Sequence, residues 1–142
     1  MQVENILQSK GTAVHTVTAG APLSEAVQLL NTHKIGAVVV VDTKGGVAGI
    51  LSERDIVRRL GTDPAKLLAS PVRTAMTAKV ITATRAHTVS DLMELMTRHR
   101  IRHIPVVDGT TLVGIVSIGD VVKRKIEETE QEALALREYI AS

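Results

Sequence analysis

Two serine–aspartate pairs are the residues of this 142-residue chain best suited to hold a small molecule. Ser52 precedes Asp55 by three positions, and Ser117 precedes Asp120 in the same way, each pair at the predicted start of a helix. Serine and an acidic residue at this spacing commonly cap a helix, which is a structural role. The same arrangement also offers backbone N–H groups and a hydroxyl to a phosphate, and a carboxylate to the hydroxyls of a ribose. Because the pattern occurs twice, it favours nucleotide binding over capping alone.

The side-chain sets that catalysis or metal binding would need are missing from the sequence. It contains no cysteine, which excludes disulfides, thiolate metal sites and a cysteine nucleophile. His99 and His103 are four positions apart, as in a helical metal site, but Pro105 favours an extended chain just before it. We therefore expect no metal there. No catalytic triad or carboxylate pair can be argued from the residues, so we predict a binding protein and not an enzyme.

The amino-acid composition bears on which ligands the protein can bind and on where in the cell it is expected. Aromatic residues make up 1% of the chain, which disfavours modules that stack nucleic-acid bases. The net charge of +2, from 17 basic and 15 acidic residues, is weak evidence for a polyanionic partner. A hydrophobic content of 44% and a charged content of 23% are typical of a soluble globular protein. We find no signal-peptide pattern and no apolar run long enough to span a bilayer, so we expect a cytoplasmic protein without a membrane partner.

An internal repeat with a period of about 66 residues covers nearly the whole chain. The matching segments are 14–16 with 80–82, 40–42 with 106–108, and 49–55 with 114–120 after a one-residue slip. A unit of about 60 residues buries too little surface to be stable alone, so the two units are expected to share a core. The predicted boundaries are 1–60 for the first unit with an N-terminal helix, 61–75 for a connector, 76–125 for the second unit and 126–142 for a C-terminal helical extension.

Each unit is predicted to run strand, helix, strand, strand, helix, which gives an α+β (α/β) fold. The predicted segments are strands at 14–17 and 80–82, a helix at 23–33, a helix capped at 88–91, and hairpins joining 37–41 to 47–51 and 104–107 to 112–116. Residues 120–140 are predicted to form one long helix. A face of it could pack on a second subunit, or the helix could be a solvated tail. That face would include Ile126, Ala133, Leu134, Arg137 and Tyr139.

Segments 49–55 and 114–120, each preceded by a strand ending in Val-Val-Asp, resemble the signature of the CBS domain (cystathionine-β-synthase domain). A tandem of such domains resembles a Bateman module, and the resemblance covers about residues 10–125. It implies two β-α-β-β-α motifs packed as a pseudo-twofold pair with two clefts for adenosine ligands. The ligands implied are AMP foremost, then ADP, ATP, NAD(H) or S-adenosylmethionine, bound for regulation rather than as catalytic cofactors. The resemblance also implies a homodimer, with an unknown regulated partner.

The resemblance further implies which residues bind which part of the ligand. Asp55 and Asp120 would bind ribose, one in each cleft. The phosphate-binding residues implied are Ser52, Arg54, Arg102, His103, Ser117 and Gly119. Adenine is expected against the first strand of the aspartate's own repeat, which means Val14 and His15 or Val80 and Ile81.

The two clefts are expected to differ. The first repeat has Gly36 and Ala37 where the second has Arg102 and His103. These basic residues are expected to reach the cleft that contains Asp55, which should therefore bind phosphate better than the other cleft. A solvated basic edge is the alternative interpretation of this pair.

A second function class remains open at this stage. A nucleic-acid-binding protein would use a basic edge, with binding that falls steeply as salt rises. The edge would consist of Arg98, Arg100, Arg102, Lys123, Arg124 and Lys125. This alternative is the less favoured one. A small hydrolase acting on the bound nucleotide has no supporting catalytic set.

Overall fold

The computed structural model describes residues 1–61 and 63–142 and confirms a mixed fold of two repeats. Thr62, within the expected connector, lies outside the described residues. The helices are α1 (Val3–Lys10), α2 (Leu23–His33), α3 (Glu53–Arg59), α4 (Pro64–Ala69), α5 (Val89–His99) and α6 (Ile118–Ala141), with a 3-10 turn at Val72–Thr74. The strands are β1 (Thr16–Thr18), β2 (Ala37–Val41), β3 (Val47–Ser52), β4 (His103–Asp108) and β5 (Thr111–Ser117).

The two repeats build sheets of different width. In the first repeat β1 pairs in parallel with β2, and β2 pairs antiparallel with β3. In the second repeat β4 and β5 form a two-stranded hairpin. The hairpins share an irregularity at matching positions, between Val40 and Val41 in one and between Val106 and Val107 in the other. The two repeats thus match in strand register as well as in sequence.

The strand predicted at 80–82 does not form, and a proline explains the difference. Only Ala83 bridges to the hairpin, next to Val106. In the first repeat the N–H of Val39 donates a hydrogen bond of 3.3 Å to the carbonyl of His15. The second repeat has Pro105 at that place, and proline has no N–H to donate. The ladder therefore loses a bond just where the predicted strand would have to begin.

Each repeat completes its core with the segment that precedes the other repeat. Val3, Ile6 and Leu7 of α1 are buried in the core of the second repeat. Val72 and Ala75, which follow α4, are buried in the core of the first. The sequence-based boundaries assigned the N-terminal helix to the first unit and treated 61–75 as a connector. In the structure these two leading segments are exchanged, which interlocks the repeats.

Backbone hydrogen bonds fix both exchanged segments at matching places. The N–H of Val89 donates to the carbonyl of Met1 at 2.8 Å, at the start of α5. The N–H of Leu23 donates to the carbonyl of Ser70 at 2.8 Å, at the start of α2. Each leading segment therefore docks on the first turn of the other repeat's first helix.

Two glycines in the repeated motif leave room for the exchanged segments. A Cβ added at Gly114 would lie 2.6 Å from Cδ2 of Leu7, and one added at Gly49 would lie 2.7 Å from the sulfur of Met76. No real side chain approaches so closely without displacement of its neighbour. The glycine of each motif is thus required by the close approach of the crossing segment.

The last helix extends beyond the body of the protein. In α6 only Val121 is buried, and every residue from Thr129 onward is exposed. Within residues 1–61 and 63–142, no helix combines the length and the apolar character needed to cross a membrane.

Candidate binding cleft between the repeats

A cleft of about 660 Å³ lies between the two repeats and contains Asp55. Its size falls within the range typical of small-molecule sites. The first repeat contributes Gly36, Ile50, Ser52, Glu53, Arg54, Asp55, Val57 and Arg58, and the remainder of the chain contributes Thr77, Lys79, Val80, Ile81, His99, Arg100, Ile101, Arg102 and His103. The sequence-predicted residues Ser52, Arg54, Arg102 and His103 are therefore brought together around Asp55.

Ser52 and Asp55 form a capping box where β3 meets α3. The backbone N–H and the hydroxyl of Ser52 donate to Oδ2 of Asp55 at 2.9 and 3.0 Å. The N–H of Asp55 donates back to the serine hydroxyl at 3.3 Å. Among the described residues no hydrogen bond reaches Oδ1 of Asp55. The structural role and a ligand role are thus compatible, because capping uses one carboxylate oxygen and leaves the other available to a hydroxyl donor.

Positive charge dominates the cleft. Two carboxylates, Glu53 and Asp55, face an excess of cationic side chains. The cations are Arg54, Arg58, Lys79, Arg100 and Arg102. Arginine in particular binds phosphate oxygens through several N–H groups at once. The electrostatics of this cleft therefore suit an anionic ligand.

Arg100 takes a backbone conformation that side-chain-bearing residues rarely adopt. It follows α5 with φ of 54°, in the left-handed region. Lys34 occupies the matching place after α2 with φ of 52°. Glycine is the residue that fits this position best at a helix end. The chain thus keeps a basic side chain at a strained position in both repeats, and that of Arg100 lines the cleft.

His103 lies at the start of β4, among charged groups of both repeats. Burial lowers the pKa of His103 below 6.5, and the nearby positive charges of Lys10 and Arg102 lower it further, although Asp120 and Glu53 act in the opposite direction. The imidazole is therefore mostly neutral at pH 7. It offers a hydrogen bond rather than a full positive charge, so the expected basic pair carries its charge mainly on Arg102.

Apolar side chains from both repeats supply walls for a flat group. They are Ile50, Val57, Val80, Ile81 and Ile101. The expectation was that Val14 and His15, from the first strand of the aspartate's own repeat, would lie beside Asp55. In the structure Val80 and Ile81 of the opposite repeat line this cleft, and Val14 and His15 are not among its lining residues.

The exchange of leading segments explains why Val80 and Ile81 lie beside Asp55. Thr77 exchanges two backbone hydrogen bonds with Ile50 of β3, at 3.0 and 2.9 Å, and this pairing directs the following residues into the cleft. By the same exchange Val14 and His15 follow α1, which docks on the second repeat. The ring of His15 stacks on that of His33, with centroids 3.6 Å apart.

The matching site in the second repeat holds an internal cation. Ser117 and Asp120 form the same capping box, with contacts of 2.9 and 3.0 Å to Oδ2 of Asp120. The ammonium of Lys10 lies 2.7 Å from the same oxygen and also donates to the carbonyl of Ile115 at 2.9 Å. Burial alone would raise the pKa of Asp120, but hydrogen bonds from Lys10 and Ser117 outweigh it and hold the pKa below 3.8. The chain thus neutralises this carboxylate itself.

Gly119 does not lie in the cleft that contains Asp55. It lines a shallow groove along α6 with Ile118 and Val122, and Arg102 reaches this groove as well. The structure therefore gathers most of the expected residues in one cleft and places Ser117, Gly119 and Asp120 elsewhere.

Several residues of the cleft escaped the sequence analysis. Lys79 and Arg100 were not singled out as ligand contacts, although a signal for Arg100 was present, since Lys34 is basic at the same place in the repeat.

Outside this cleft, Lys10 was missed because its partner Asp120 is 110 positions away in the chain. His99 and His103 do not share a helix, since α5 ends at His99 and β4 begins at His103.

Comparisons with known proteins agree with this fold. The family model of the CBS domain matches residues 6–62 and 72–127. A mitochondrial CBS domain-containing protein of Arabidopsis thaliana is 35% identical over 97% of this chain and 71% of its own length. The crystal structure of a CBS-domain protein of Agrobacterium tumefaciens is similar with a TM-score of 0.84 and 44% identity, covering 88% of this chain and 99% of that one. The CBS domain pair of protein MJ0100, solved with 5′-methylthioadenosine and S-adenosyl-L-methionine, has a TM-score of 0.80 and 27% identity, covering 90% and 98% of the two chains.

Proposed function

The chain belongs to the CBS-domain family, and from that premise we propose that it is a regulatory module that binds an adenosine nucleotide, AMP foremost, in the cleft containing Asp55. The observation that carries the proposal is the coincidence, in one cleft, of an available carboxylate oxygen, apolar walls and an excess of cations. It acts by binding and not by catalysis. The CBS domain pair of MJ0100 supports the ligand class, since both of its ligands contain an adenosine.

Each part of the ligand has a matching group in the cleft. Oδ1 of Asp55 accepts hydrogen bonds from the ribose hydroxyls, and Val80 and Ile81 pack against adenine. Arg102 and Arg54 bind the phosphate, assisted by a hydrogen bond from the imidazole of His103. Ser52 supports the site by orienting the carboxylate through its cap. ADP, ATP, NAD(H) and S-adenosylmethionine carry the same adenosine, and the phosphate contacts favour the phosphorylated members.

The site in the second repeat is proposed to be the weaker one. A ligand there would use Asp120, Ser117 and Gly119, with adenine against Val14 and His15. Oδ1 of Asp120 is left available by the cap, as it is in Asp55, but Lys10 lies 2.7 Å from Oδ2 and already compensates the charge that would attract the ribose hydroxyls. One nucleotide per chain is therefore the expected stoichiometry.

A regulatory module signals only as far as its ligand discriminates between two states of the protein. His103 offers a connection between the sites, since the charges that act on its pKa come from Lys10 and Asp120 on one side and from Glu53 and Arg102 on the other. A phosphate beside His103 favours the protonated imidazole, which then repels Lys10. Binding in one cleft thus acts on the contact that holds α1. The regulated partner, the cytoplasmic location and a homodimeric state remain predictions.

The nucleic-acid alternative has weaker support. Arg98, Arg124 and Lys125, three cations of the basic edge, each form an ion pair with a glutamate of their own helix. Half of the cations of this edge are thus already compensated, and Arg100 and Arg102 line the cleft instead. Steeply salt-dependent binding to duplex DNA, in the absence of AMP binding, would favour it instead.

Calorimetric titration with AMP tests the proposal, with the repeat supplying a matched control. Asp55→Ala removes the carboxylate and should weaken AMP binding about 10- to 100-fold, the effect of losing one or two hydrogen bonds to a charged group. Asp120→Ala removes the same capping box in the other repeat and should change the affinity less than threefold. Thermal unfolding of both variants checks that they fold. Equal losses in the two variants, or no AMP binding by the unaltered protein, would contradict the proposal.

A further inference from the structure

The exposed part of α6 carries an apolar seam with the spacing of a coiled coil. Small or apolar side chains recur at alternating intervals of three and four positions along one side of the helix. The seam consists of Gly119, Val122, Ile126, Thr129, Ala133, Leu136 and Ile140. Its one hydroxyl, that of Thr129, donates to the carbonyl of Lys125 at 2.9 Å and so is satisfied within the helix. The seam thus meets the a and d positions of a heptad repeat without interruption.

Nothing else among the described residues covers this seam. Ile126 is 52% exposed, Leu136 59% and Ile140 75%. From residue 129 to the end, the helix stands clear of the body. An isolated helix of this length is only marginally stable in water, because most helical stability in proteins comes from packing of an apolar face. The seam therefore needs a partner helix.

We propose that the partner is the seam of a second copy of this chain, paired in parallel as a short two-stranded coiled coil. The flanking charges carry this choice. In a parallel pair, a residue at position g contacts the residue five positions later, at position e, on the other helix. Lys125 then meets Glu130 of the second copy, and Glu132 meets Arg137. Both contacts join opposite charges, and the twofold symmetry of a homodimer makes each of them twice.

Continuity with the body favours the parallel orientation as well. The seam begins in the groove that Ile118, Gly119 and Val122 line on α6. A parallel pair brings the two grooves together at the same end, where Ile118 and Val122 are 43% and 46% exposed. An antiparallel pair would carry each groove away from the other and leave these side chains in water. The pairing of the seams does not require a bound nucleotide, although Arg102 lines both this groove and the cleft that contains Asp55.

Sedimentation of the full chain over a range of concentrations tests the seam. The unaltered protein is expected to be a dimer, and Leu136→Glu should raise its dissociation constant at least about tenfold, since burial of a leucine on each helix is lost. Leu134→Glu is the matched control, because Leu134 is equally exposed, at 56%, but lies outside the seam. A monomeric unaltered protein, or equal weakening by both variants, would overturn the inference. Unchanged helical content by circular dichroism shows that both variants remain folded.

A single cysteine reports the orientation, since the chain has none of its own. Leu136→Cys places a thiol at a d position, where a parallel pair sets it opposite its own copy, so mild oxidation should give a disulfide-linked dimer. Gln131→Cys places the thiol on the outer side of the helix and should stay monomeric on a denaturing gel. A dimer in solution whose Leu136→Cys form does not crosslink would overturn the parallel arrangement. A charge test is independent of both, because Glu132→Lys should weaken the dimer and Arg137→Glu in the same chain should restore it.

Discussion

The ion pair between Lys10 and Asp120 is one of the contacts that hold α1 to the second repeat, beside the burial of Val3, Ile6 and Leu7. The two atoms are 2.7 Å apart, and the side chains are 33% and 24% exposed. Exposed ion pairs contribute about 0.2–1 kcal/mol, and hydrogen bonds to charged groups in drier sites about 1.5–3 kcal/mol. This half-buried pair lies between those cases, so we expect a coupling free energy of about 1 kcal/mol.

A double-mutant cycle measures that coupling. Lys10→Met keeps the length of the side chain and removes its charge, and Asp120→Asn keeps an oxygen for the cap. Chemical unfolding of the two variants and of their combination at pH 7 gives the coupling directly. Asp55→Asn is the matched control, since Asp55 makes the same capping contacts and forms no ion pair with any described residue. In thermal unfolding, about 1 kcal/mol corresponds to a fall in Tm of about 2–4 °C for a chain of this size.

The pH dependence of the coupling has a definite sign. Burial acts to raise the pKa of Asp120, but the hydrogen bonds from Lys10 and Ser117 prevail and lower it below 3.8 in the folded protein. A carboxyl whose folded pKa is lowered stabilises the protein above its unfolded pKa, and that stabilisation is lost as the pH falls through the folded value. The coupling should therefore be constant from pH 7 to about pH 5, decline as the pH falls through about 3.9, the ordinary pKa of an unfolded aspartate, and disappear only below the lowered pKa of the folded protein. A coupling below about 0.3 kcal/mol at pH 7 would refute this account of how α1 is held.

Two further predictions concern other residues. Replacing Arg100 with glycine should relieve its left-handed backbone, raise the free energy of unfolding by about 0.5–1 kcal/mol and weaken AMP binding. Lys34→Gly should give a similar gain in stability with no effect on AMP binding. Thermal unfolding measures the first effect and calorimetry the second, and weaker AMP binding in both variants would contradict a specific role for Arg100. Gly114→Ala should destabilise the protein by about 1–3 kcal/mol in urea unfolding, because the new Cβ would lie 2.6 Å from Leu7, and combining it with Leu7→Ala should give less than the sum of the two losses. Additive losses would show that this close approach is not the cause.

The parts of the fold that depend on local pattern could be predicted from the sequence. The helix at Leu23–His33 and both hairpins follow from apolar periodicity and turn residues, and they occur where expected. The missing strand at 80–82 depends on a hydrogen bond that Pro105 cannot donate, which is visible in the sequence once the repeats are aligned on Val39. Comparing Val39 with Pro105 at the same place in the two repeats thus indicates the loss of the strand, whereas the apolar pattern of residues 80–82 alone does not.

The exchange of leading segments could not be predicted in this way. The apolar face of α1 shows that Val3, Ile6 and Leu7 must be buried, but either repeat could have received them. The choice depends on contacts between residues more than 100 positions apart, such as that of Lys10 with Asp120. For the same reason the sequence could group Asp55, Arg102 and His103, which line one cleft, but not foresee that Val80 and Ile81 would line it in place of Val14 and His15.

The exchange also determines when each leading segment can dock during synthesis of the chain. When α1 leaves the ribosome, the surface that will cover it has not yet been made, since Asp120 follows Lys10 by 110 positions. At about 5–20 residues per second, the apolar side of α1 waits on the order of ten seconds for its binding site. The first repeat likewise lacks part of its core until Val72 and Ala75 emerge. The apolar side of α1 therefore lacks its partners on α5 and β5 until most of the second repeat has been synthesised.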